Sequence, residues 1–134
     1  MLRYGYFHDF CTGPKILVWG GPDAMARFYE ALALVAAGEG PQVFTDIPGC
    51  EPVDGTTVQF ETVGEAEGIE RDPVEPDLFH WRADAETWVW FQELVEPLMH
   101  CSSAKPGHQY LECVVGGDIV VMVSCGEYPD DLKP

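Results

Sequence analysis

The chain is poor in positive charge. Seven lysines and arginines stand against 23 aspartates and glutamates in 134 residues, a formal net charge of −16. A field of that sign repels phosphate backbones and anionic lipid headgroups. Tyr4, Tyr6 and Trp90 could stack on bases, but the cationic residues that accompany stacking platforms are missing. Neither nucleic acid nor a membrane is therefore expected as a partner. No apolar run approaches the length of a membrane span, and the opening MLRYGYFHDF has no signal-type apolar segment.

Paired metal-ligand spacings are also missing. Five cysteines (Cys11, Cys50, Cys101, Cys113, Cys125) and four histidines are present, yet none forms a Cys-x-x-Cys. HDFC, residues 8 to 11, is one pair without a matching second. The odd cysteine count, with several in apolar strand patterns, predicts mostly free thiols in a reducing cytoplasm. No metal and no cofactor is expected.

A nucleotide loop is absent as well. LVWGGPDAMARF, residues 17 to 28, runs strand, glycine pair, helix, the order that suits a phosphate site, but no Gly-Lys-Ser/Thr follows. Asp23 stands where an N-cap is expected, and its carboxylate would take the same N–H donors as an anion. Asp84 is expected to cap the second helix. A thiol nucleophile would need a base and an orienting group. Cys101 has His100 and His108 nearby in sequence, but adjacent side chains diverge and the negative field raises a thiol pKa. No catalytic residue is assigned, and the reading leans away from an enzyme.

What is present is a foldable core. Apolar residues make up 46% and aromatics 12% of the chain, the values of a globular domain. Its length fits a single compact domain over 1–134. RYGYFHDF reads as an edge strand, KILVW as a strand buried on both faces, and TTVQFET as one with a wet face. Residues 23 to 38 and 84 to 99 carry apolar stripes at helical spacing, with Pro97 ending or kinking the second. QVFTDI is expected as a strand, residues 63 to 77 as a long acidic loop, and QYLECVV–GG–DIVVMVSC as a hairpin. The fold class is α+β, with two helices packed on one face of a mainly antiparallel or mixed sheet. Residues 15–62 and 78–125 each read strand, helix, strand, strand, as a tandem pseudo-repeat would.

Function is read from charge and from one aromatic. Trp90 falls on the polar side of the second helix, between Glu86 and Glu93. Exposed aromatics with acidic surroundings suit docking to a basic protein. The leading expectation is a non-enzymatic acidic protein-binding domain, of the antagonist or immunity type by analogy of size and charge, with Glu65, Glu67, Glu70, Asp72 and Trp90 as contact residues. The alternative is a small enzyme or ligand-binding domain with a pocket near the acidic loop, built on Glu75, Asp77 and His80. Self-association is a third role compatible with these features.

Overall fold

The computed structural model describes residues 1–113 and 117–134. The architecture is α+β, with two helices packed against two mixed sheets. In chain order the elements are β1 (Leu2–Phe7), β2 (Lys15–Gly20), α1 (Pro22–Ala36), β3 (Gln42–Val43), β4 (Cys50–Pro52), β5 (Thr57–Thr62), β6 (Gly68–Arg71), β7 (Leu78–Ala83), α2 (Ala85–Val95), β8 (Gly107–Leu111) and β9 (Val120–Cys125). One sheet has the order β4-β1-β2-β9-β8, the other β3-β5-β7-β6.

Each sheet has a parallel pair at its centre. β2 pairs in parallel with β9, Lys15 opposite Val120. β7 pairs in parallel with β5, Leu78 opposite Thr57. One sequence offset carries β2 onto β7, the start of α1 onto the start of α2, and β5 onto β9. Antiparallel neighbours follow suit: β1 flanks β2 as β6 flanks β7, and β3 flanks β5 as β8 flanks β9. The expected repeat segments are thus strand-matched, but each segment's last strand pairs with the first strand of the other.

The strand faces follow their residue types. Val58 and Phe60 on β5, and Phe79 and Trp81 on β7, turn inward at period two. Every residue of Lys15–Trp19 is buried, because the core lies on one side of β2 and a second apolar cluster on the other. That cluster joins Phe7, Leu17, Trp19 and Met122 to Phe10, Val53, Tyr128 and Leu132. The C-terminal tail therefore covers this sheet, tied by the Trp19 indole N–H donating to the Pro129 carbonyl at 3.0 Å.

The main core is aromatic. Trp81 lies edge-on to Trp88 (4.8 Å between centroids) and stacked on Phe91 (5.6 Å), while Phe44 meets Tyr4, Phe28 and Phe60 edge-on. Such pairs add about 0.5–1.5 kcal/mol beyond area burial. Buried polar ends are satisfied: Trp88 Nε1 donates to the Glu61 carbonyl, and the Tyr4 hydroxyl donates to the Thr56 carbonyl at 2.8 Å. Thr62 Oγ1 donates to the Val35 carbonyl at 2.6 Å, tying β5 to the last turn of α1.

Several local expectations are corrected. β1 is not an edge strand, because β4 pairs along its outer side. QVFTDI extends for two residues only and then turns as a 3₁₀ segment, Phe44–Asp46, which sends Phe44 into the core. The acidic stretch from 63 to 77 contains β6, since Ile69 buries against the core and the backbone pairs with β7. The hairpin strands β8 and β9 are in place, while part of the expected turn lies outside the described residues. The second helix ends at Val95, with Pro97 in the 3₁₀ segment Glu96–His100 that follows. Cys101 and Cys125 form a disulfide, so free thiols are left at Cys11, Cys50 and Cys113.

The helix entrances differ from each other. Asp84 caps α2, accepting from the Thr87 N–H at 3.0 Å; the Thr87 side chain and then its backbone N–H hold the Asp84 carboxyl below its usual pKa. Asp23 does not cap α1. Gly21 is the N-cap, without a side-chain hydrogen bond, and Pro22 takes the first helical position. Gly20 is required by packing: a Cβ there would lie 2.6 Å from the Ala24 Cβ and 2.8 Å from the Met1 carbonyl oxygen. The caps make separable predictions in urea unfolding. Asp84→Ala is expected to destabilise by about 0.5–2 kcal/mol, and Asp23→Ala by no more than a few tenths.

Candidate functional site

Two surfaces collect the residues singled out by sequence. The first is the outer face of α2. Trp88, Phe91 and Val95 point into the core, which leaves Glu86, Val89, Trp90, Glu93 and Glu96 outward at helical spacing. Trp90 is 46% exposed and Val89 45%. The Trp90 ring leans on Phe91, 5.6 Å between centroids, so its position is braced from beneath. No lysine or arginine lies between Ala85 and Val95.

The chain's own cations are largely spent within it. Arg82 pairs with Glu61 at 3.0 Å. Arg3 lies 3.6 Å from both Glu51 and Asp130. Arg27 donates to the Pro48 carbonyl at 3.0 Å, and Lys15 is buried with its ammonium 3.4 Å from the Gly13 carbonyl. Arg71 donates to the Pro76 carbonyl and lies over the Tyr6 and Phe79 rings. Lys105 and Lys133 stay exposed, so the outward charge of the molecule is predominantly, not wholly, carboxylate.

The second surface follows the acidic stretch. Glu65, Glu67 and Glu70 are exposed around β6. Asp72 is different. Its carboxylate accepts the Val74 and Glu75 N–H groups at 3.0 and 2.9 Å and meets His80 Nε2 at 2.7 Å. The Glu75 N–H, then His80, hold its carboxyl down at about 2. Asp72 thus fastens the turn before β7. His80 is occupied by that bond, and Glu75 enters the group through its backbone. Asp77 lies apart, against Gly55, and none of Glu75, Asp77 and His80 lines the cavity described next.

A cavity of about 570 Å³ opens where the two sheets part, between β6 and the β8–β9 hairpin. Ile69, Trp81, Leu111 and Ile119 supply apolar wall; Glu67, Glu70, Glu112 and Asp118 surround it, with Arg71 as the single cation among the described lining residues. Cys113 lines it too, and burial raises its pKa. Apart from the acids themselves nothing in the sequence marks this site, because its walls come from segments far apart in the chain.

Thiol and serine chemistry find no support in the arrangement. Cys101 is disulfide-bonded, and burial pushes the Cys50 thiol up to about 12. Ser124 donates to Glu127 Oε1 at 2.5 Å, and His108 Nδ1 contacts the same oxygen at 3.0 Å. With the carboxylate between them, the histidine is not placed to take the serine proton. Among the described residues, no three His, Cys, Asp or Glu side chains are grouped to hold a metal ion. No helix there is long and apolar enough to cross a membrane.

Comparison with protein-family models, with curated proteins and with solved structures finds no match to this chain.

The Asp72 bonds give a signed pH dependence. A carboxylate whose folded pKa is about 2, against an ordinary 3.8, contributes stability above the ordinary value and loses it as pH falls through the folded one. Asp72→Asn is therefore expected to lower the melting temperature at neutral pH, with the gap to wild type closing between about pH 4 and 2. Thermal unfolding of both proteins across that window checks it.

Proposed function

We propose that this chain is a non-enzymatic binding protein that docks a basic protein through the outer face of α2. The observation that carries this reading is the exposed Val89–Trp90 pair, framed by Glu86 and Glu93 on its own helix and by Glu96 directly after it, with no cation among them. A braced aromatic offers large contact area at low entropic cost, the usual character of an interface anchor. Surrounding carboxylates steer a cationic partner and disfavour acidic competitors. The net charge of −16 extends that field over the whole molecule.

Within this reading Glu65, Glu67 and Glu70 act at long range. They lie on the segment around β6 rather than on the helix, so they speed encounter without filling the contact. Asp72 leaves the expected contact set, since its oxygens are occupied by its own turn and by His80.

The test is capture on immobilised protein from an extract of the source cells at low and high salt, followed by kinetics with the retained basic protein. Trp90→Ala is expected to weaken affinity by about 30-fold or more, mainly through faster dissociation. Neutralising Glu65, Glu67 and Glu70 together is expected to slow association several-fold at low salt, with little effect at high salt. Circular dichroism confirms that the variants are folded. Association insensitive to both salt and these charges would overturn the reading.

A further inference from the structure

The matched strand pairings of the two sheets allow one half of the molecule to be compared with the other, position by position. Tyr4 on β1 stands opposite Val18, as Ile69 on β6 stands opposite Trp81. Phe44 follows β3, and by the pairings Val43–Gln59 and Tyr110–Met122 its counterpart is Leu111. In the first half Tyr4 and Phe44 meet edge-on at 5.1 Å, both fully buried. β4 then covers the outer side of β1. In the second half the same two places hold Ile69 and Leu111, smaller side chains, and among the described residues no strand pairs along the outer side of β6. The cavity lies there, with both residues in its wall.

We infer that this cavity is a binding site for a small organic cation, an ammonium or guanidinium group carried on an aromatic or aliphatic body. Its volume falls within the range of small-molecule sites, about 300–1,000 Å³. Ile119 and Cys113, both half-buried, and the edge of Ile69 give the body of a ligand a small apolar seat, over a floor of Trp81 and Leu111 that is almost closed to solvent. Charge selects its head. Glu67, Glu70, Glu112 and Asp118 face a single cation, Arg71, which is already held by the Pro76 carbonyl and two aromatic faces. An anionic head would meet this excess of carboxylate, whereas a cationic head is attracted by it. The site is independent of the α2 face, and either can fail without the other.

The probes are 4-phenylbutylammonium, 4-phenylbutanoate and 4-phenylbutanol, titrated into the full chain by calorimetry and by NMR shifts of backbone amides. The ammonium is expected to bind one per chain, about tenfold or more tighter than the carboxylate, the weight of one charge-assisted contact. Ile69→Tyr with Leu111→Phe installs the pair found in the other half and is expected to weaken ammonium binding at least tenfold. Glu70→Gln with Glu112→Gln, both at exposed positions, is expected to weaken the ammonium several-fold and leave the alcohol unchanged. Should the filled variant fail to fold, Cys113 locates the ligand instead. In a Cys11→Ser, Cys50→Ser background, the ammonium is expected to slow maleimide labelling of Cys113. Absence of binding at millimolar ammonium, equal affinity for the carboxylate, or shifts and labelling indifferent to the cavity would each overturn the inference.

Discussion

The crossed parallel pairings, β2 with β9 and β5 with β7, are the constraint on which the rest depends. A parallel neighbour cannot be supplied by a tight turn, so each sheet needs a longer connection to bring its parallel strand into place. For β2 that strand is β9, from the far end of the chain; for β7 it is β5, with residues 63–77 and β6 between them. Without β9, β2 would expose a full hydrogen-bonding edge; without β5, so would β7. The aromatic group around Trp81 fills the space these pairings enclose, and both helices lie against it. Contacts between distant segments therefore dominate, a topology that pays loop-closure entropy before burial rewards it.

The same pairings explain why the halves are unequal in use. One sheet gains β4 on its edge and the C-terminal tail on its outer face, so β2 is enclosed on both sides. The other sheet keeps a bare described edge at β6 and a cavity beside it. The acids that read in sequence as one long loop are divided by this geometry. Asp72 becomes a structural fastener, Glu67 and Glu70 border a cavity, and Glu65 stays at the surface. Carboxylates of one composition thus serve three physical roles, decided by which N–H groups and side chains reach them.

Charge and the helix surface act together in the proposed docking. The arginines and Lys15 are engaged by the chain's own oxygens and rings, so the field is not balanced locally by free cations at those positions. Trp90 escapes the core because its neighbours Trp88 and Phe91 take the inward stripe and leave it on the opposite side. The disulfide Cys101–Cys125 anchors the segment after α2 to β9, which fixes that helix's exit on the sheet.

Pattern by itself determined the two helices, the alternating faces of β5, the buried character of β2 and the acidic surface with Trp90 on it. These are local or additive properties: a side-chain period fixes a face, and charge sums without regard to fold. Tertiary structure decided what depended on distant partners. Ile69 reads as an isolated apolar residue among acids until β7 supplies the ladder that makes β6 a strand. Phe44 leaves its short strand because Tyr4, Phe28 and Phe60 offer it a buried place. Asp23 has the right type for a cap, but the helix starts two residues earlier than such a cap requires, at Pro22, which makes Gly21 the cap. The cavity has no sequence signature because its walls meet only when β6 and the β8–β9 hairpin are brought side by side, and shape between distant segments is not a property any one segment carries.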